Sequence, residues 1–102
     1  MPEEIYFAPL ADRPVVALGK LAAAFAHRGR HTRIEEHSAD MYWLGFESFE
    51  SQLVISTTSD EKKEVGLVTF EFSEGDGEGL FSEVSDVLTD LGFSSDPEAQ
   101  YR

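Results

Sequence analysis

From residue 32 to residue 72 apolar and polar side chains alternate with a period of two, and on either side of that stretch the period lengthens to three or four. The alternating part divides into segments 32–37, 41–47, 52–58 and 65–72, separated by Ser38-Ala39-Asp40, Ser48-Phe49-Glu50-Ser51 and Ser59-Asp60-Glu61-Lys62-Lys63. Alternation of this kind marks strands with one buried face, and connections this short join strands as antiparallel hairpins, not parallel crossovers. An apolar run at 5–10 contains Pro9, which cannot donate to a ladder, and so reads as an edge strand or a strand end.

Helical spacing appears twice. Val15, Leu18, Ala22 and Phe25 predict one buried helix face, with Asp12 as N-cap, Pro14 in the first turn, His27 and Arg28 in the last turn and Gly29 just beyond it. Leu80, Val84, Val87 or Leu88, and Leu91 predict a second helix ended by Gly92. The expected fold is α+β in the order β-α-β-β-β-β-α, an antiparallel sheet with two helices packed on one face. It occupies residues 1–93 as one domain, and a flexible C-terminal tail occupies 94–102. The element order resembles the fold shared by TATA-binding-protein halves and helix-grip proteins; a ferredoxin-like arrangement with an extra strand is the alternative.

Charge changes this picture more than size does. The 102 residues hold 20 Asp and Glu against 8 Lys and Arg, a net charge of −12, yet 41% of them are hydrophobic, too many for a disordered chain. The charge is unevenly placed: residues 1–33 carry five cations and three carboxylates, whereas residues 34–102 carry three cations and 17 carboxylates. Such a field repels nucleic acid, attracts basic surfaces and weakens with salt. The absence of cysteine excludes a disulfide scaffold, a thiolate metal site and a cysteine nucleophile. The acidic start and the lack of an apolar tract of about 18 residues point to a soluble cytoplasmic chain without a signal or membrane span.

Several patterns suggest chemistry and stop short of it. Glu74, Asp76 and Glu78 alternate with Gly75, Gly77 and Gly79, as in the first half of a calcium-binding EF-hand loop, but the twelfth position is Ser85 instead of a bidentate Glu, so a solvated acidic turn is expected. The same glycines lie where a phosphate loop would, yet its lysine is missing and three carboxylates oppose a phosphate. His27, His31 and His37, with Glu35 and Glu36, match no zinc spacing. No nucleophile elbow is present, and no metal, cofactor or catalytic residue is assigned. Arg28, Arg30, His31 and Arg33 form a basic segment that either grips phosphate or, as expected in so acidic a chain, completes the helix end and pairs internally.

Two acidic surfaces remain as candidates for partner binding. If Tyr42, Leu44 and Phe46 face the helices, alternation places Met41, Trp43 and Glu47 on the other face of the sheet, with Thr69, Glu71, Glu35 and His37; the reverse register buries Trp43. An exposed Trp among carboxylates has the composition of a hot spot for a basic partner. In the second helix Glu83, Asp86 and Asp90 share one exposed face. The run 71–90 holds seven carboxylates and no cation: Glu71, Glu74, Asp76, Glu78, Glu83, Asp86 and Asp90. In size and acidity the chain resembles small phage-encoded inhibitors that mimic DNA, including anti-CRISPR proteins. The resemblance implies a non-enzymatic inhibitor or immunity-type protein that masks the basic, nucleic-acid-binding site of a partner and binds no nucleic acid itself. The chain is expected as a monomer or homodimer; the alternative functions are a self-associating accessory domain and a metal-dependent small-ligand enzyme using Glu35, Glu36 and His37.

Overall fold

A computed structural model describes residues 3–72 and 77–95. Its elements are β1 (Glu3–Pro9), α1 (Leu18–His27), β2 (Thr32–Ser38), β3 (Met41–Phe46), β4 (Gln52–Thr57), β5 (Val65–Phe72), α2 (Gly77–Asp90) and β6 (Phe93–Ser94). All six strands form one antiparallel sheet in the order β2-β3-β4-β5-β1-β6, so the α+β class and the hairpin meander follow from the alternation.

Register explains why that alternation is so regular. Ile34, Leu44, Leu53, Phe70 and Ile5 lie side by side across five strands, as do Glu36, Tyr42, Ile55, Val68 and Phe7. These rows face the helices. The intervening rows, Glu35-Trp43-Val54-Thr69-Tyr6 and Arg33-Gly45-Gln52-Glu71-Glu4, face the other way. A one-residue slip would exchange the two sets, and the burial of Leu44, Leu53, Ile55, Val68 and Phe70 holds the register against it.

Both helices pack on the inner face. Leu18, Leu21 and Phe25 of α1 and Leu80, Val84, Val87 and Leu88 of α2 join the inner sheet residues in one core. Phe25 meets Phe46 edge to face at 5.1 Å, and Phe81 lies parallel to Phe70 at 6.2 Å. Each fully buried side chain of this size contributes about 1.5–3 kcal/mol.

The first helix starts later than its sequence pattern suggests. Residues 15–17 are extended: Val65 N–H donates to the Val16 carbonyl at 2.7 Å, and Ala17 bridges to Glu64. The Leu18 N–H, free of any intrahelical partner, donates to the Lys63 carbonyl at 3.0 Å, so backbone replaces the expected Asp12 cap. Val16 is therefore buried while Val15, expected on the buried helix face, is 68% exposed. The helix end agrees with expectation. Gly29 has φ +81°, Gly29 N–H donates to the Ala26 carbonyl and Arg30 N–H to the Phe25 carbonyl, a Schellman motif.

The second correction is β6, which makes the order β-α-β-β-β-β-α-β. Gly92, at φ +96°, reverses the chain after α2, and Pro9 and Ala8 then pair with Phe93 and Ser94. Leu10 N–H donates to the Gly92 carbonyl at 2.8 Å, and Phe93 is buried. Two residues carry no readable period, so this strand escapes a pattern search, and Ser94, expected in the tail, lies in the sheet. Pro9, which reads as an edge strand or a strand end, is the last residue of β1, and β1 itself lies inside the sheet between β5 and β6.

Candidate functional site

With both helices on the inner face, no described element covers the outer one. On β3, one strand in from the β2 edge, Trp43 is half-buried, its indole stacked on the imidazole of His37 with ring centroids 5.0 Å apart and planes 11° from parallel. His37 reaches this position because the β2–β3 pairing shifts register between Glu36 and Ser38. Val54 of β4 lies directly beside Trp43, and Tyr6 and Leu67 add apolar surface that is 51% and 44% exposed.

Carboxylates are spread over the same face. Glu35 is the cross-strand neighbour of Trp43, while Glu71 and Glu4 neighbour each other across β5 and β1. Glu47 continues the outward alternation of β3, its N–H donating to the His31 carbonyl at 2.9 Å. Against these four stands Arg33, whose guanidinium approaches the side-chain-free Gly45 and makes no ion pair among the described residues. Gln52 Nε2 donates to Glu71 Oε1 at 2.9 Å. Tyr6 Oη donates to Glu4 Oε2 at 2.6 Å, and this bond, reinforced by the charge of Glu4, raises the phenol above its ordinary value of 10.0.

The acids of α2 belong to a different surface. Arg30 Nε donates to Glu83 Oε2 at 2.5 Å, and the same guanidinium lies 5.2 Å from the centre of the Phe49 ring. Asp90 is paired with Arg28 at 3.8 Å, and its carbonyl accepts from Arg13 Nη2 at 3.0 Å. Since α2 has no basic residue in its last turn, Arg13 supplies the missing positive charge at that helix end from elsewhere in the chain. Arg28 and Arg30 thus pair internally, as expected of the basic segment. Asp86 is exposed and makes no ion pair among the described residues.

The sequence candidates consequently divide between two layers. Trp43, Glu47 and Glu71 share the outer sheet face, whereas Glu83, Asp86 and Asp90 ride on the helix layer behind the sheet. Glu78 lies in the first turn of α2, and Glu74 and Asp76 lie outside the described residues. Alternation also takes apart the set Glu35, Glu36 and His37, because Glu36 sits in the inner row with Tyr42. No three metal-ligating side chains converge among the described residues. A shallow cleft of about 180 Å³ lies where β2 begins and β3 ends, lined by His31, Thr32, Arg33, Gly45, Phe46 and Glu47. Sequence reasoning did not include Tyr6, Glu4, Val54 or Leu67 in the surface. Only the pairing of β1 with β5 and β5 with β4 brings them beside Glu71 and Trp43, and strand order has no local signature.

Comparison with protein-family models, with curated proteins and with solved structures gives no match to the chain. No described helix is long and apolar enough to cross a membrane.

Proposed function

We propose that the chain is a non-enzymatic protein-binding module whose outer sheet face engages a basic partner, in the manner of an inhibitor or immunity protein that masks a nucleic-acid-binding surface. The observation carrying this reading is the uncovered face on which Trp43 has Glu35 beside it and Glu47, Glu71 and Glu4 farther along and across the same face, with Arg33 as the one cation of that face among the described residues. A half-exposed aromatic supplies burial on contact, and a surplus of carboxylates steers a cationic surface toward it. The helix layer is a poorer candidate, since Glu83 and Asp90 already hold arginines of the same chain. Charge reversal is therefore informative on the sheet and misleading at Glu83, where it would break an internal pair.

The test is affinity capture at low salt with the wild-type chain, with Glu47→Lys/Glu71→Lys and with Asp86→Lys. The reading expects the wild type and Asp86→Lys to retain a basic protein that elutes as salt rises, and the double variant to lose it. Retention of nothing, or equal retention by all three, contradicts it.

A further inference from the structure

We infer that the partner presents an arginine, whose guanidinium takes the place of the His37 imidazole on the face of Trp43. This rests on the basic-partner reading and narrows it from any cationic surface to one side chain.

The geometry at Trp43 carries the inference. His37 is exposed, reaches the indole from a register shift in an edge strand, and lies within 11° of parallel to it. A flat, nitrogen-bearing group therefore already occupies that indole face, held by a side chain that can rotate into solvent. A guanidinium is also planar and weakly hydrated, and adds the attraction of a full positive charge for the indole quadrupole. Glu35 lies directly across the strand pair from Trp43, on the same face, and makes no ion pair among the described residues. A guanidinium stacked on the indole there can use its remaining N–H groups on that carboxylate in the two-pronged geometry unavailable to an ammonium. Lysine satisfies the charge of the surface and is drawn to the indole quadrupole, but it offers neither planar stacking nor the two-pronged pairing. The four carboxylates of the face against one guanidinium argue for a cationic occupant over a second copy of this chain, which would bring the same negative face.

Two peptides of equal length and charge test this by calorimetry at low ionic strength: a Gly-Arg repeat and the matching Gly-Lys repeat. Trp43 is the single tryptophan, so its emission reports contact independently. The arginine peptide should bind about five-fold tighter and shift the emission. That preference should fall to about one in Trp43→Leu and shrink in Glu35→Gln, while His37→Ala, which frees the indole face, should tighten the arginine peptide alone. Circular dichroism on each variant confirms the fold, and Trp43→Phe should keep part of the preference if Trp43→Leu proves unstable. Equal binding of both peptides with emission unmoved, or a preference that survives Trp43→Leu, overturns the arginine inference and leaves the basic-partner reading standing. Failure of both peptides to bind defeats the two together.

Discussion

Arg30 and Glu83, 53 positions apart in the chain, meet through a 2.5 Å hydrogen bond that ties the end of α1 to α2. Both side chains are partly shielded, at 36% and 20% exposure, so Glu83→Ala should lower stability by about 1.5–2 kcal/mol, the lower part of the range for charged hydrogen bonds. The Arg28–Asp90 pair is longer, at 3.8 Å, and more exposed, and Arg28→Ala should cost less than about 1 kcal/mol. Urea unfolding of the two variants measures the difference, and an Arg30/Glu83 double-mutant cycle isolates the coupling.

The two glycines that end the helices should respond differently to alanine. Gly29, at φ +81°, has open space where a Cβ would go, so Gly29→Ala should cost only the backbone strain, about 1 kcal/mol. At Gly92, φ +96°, a Cβ would stand 2.7 Å from Arg13 Cβ, near the backbone where the arginine cannot swing aside. Gly92→Ala should therefore cost about 2 kcal/mol or more and also disturb the Arg13 bond to Asp90. Equal losses in thermal unfolding would contradict this packing.

Tyr6 should ionise later than a free tyrosine, because its hydroxyl donates to Glu4 and its anion would lie beside the Glu4 and Glu71 carboxylates. A phenol raised in the folded state favours folding in its neutral form. That contribution is complete below the unfolded value of 10.0 and is lost as pH climbs through the higher folded value. Tyrosinate absorbance in Glu4→Gln should show ionisation at lower pH than in the wild type.

The late start of α1 can be checked by side-chain truncation. Val16→Ala should destabilise by about 1–2 kcal/mol, since Val16 lies in the core. Val15→Ala and Asp12→Ala should stay within about 0.5 kcal/mol, as neither side chain is buried and Asp12 does not cap the helix. A large loss at Asp12 would restore the N-cap reading.

Strand 65–72 is recovered to the residue by alternation alone, because Val68 and Phe70 must face one way and Thr69 and Glu71 the other. Gly29 and Gly92 were equally legible, since a helix that ends in a left-handed turn selects glycine. Residues 15–17 were not. Their helical spacing is real, but the valines are β-branched and the β5 backbone offers a competing partner that no local window contains. The site was legible in part: alternation puts Trp43 on the face opposite Tyr42 and Leu44 but leaves open which of the two faces is inward, and only the burial of Tyr42 and Leu44 turns Trp43 outward. What a linear reading could not weigh was whether an acid is already spoken for. Glu83 and Glu71 are alike in sequence, and only the fold brings Arg30 to one and Gln52 to the other.

Strand β1 has consequences for how the chain assembles. Ile5 pairs with Phe70 and Pro9 with Phe93, so both neighbours of this strand are made long after it. The β2–β5 hairpins join near neighbours and can close as soon as they are synthesised, whereas closing β1 spans more than 60 residues and carries the larger loop entropy. On the ribosome, Phe7 therefore stays without its sheet partners until β5 has emerged, and the core is sealed only when β6 follows. The loop entropy therefore predicts that the return of the first strand limits the folding rate, and substitutions in the β1–β5 pairing should slow folding, as read by stopped-flow refolding, more than those in the β2–β3 hairpin.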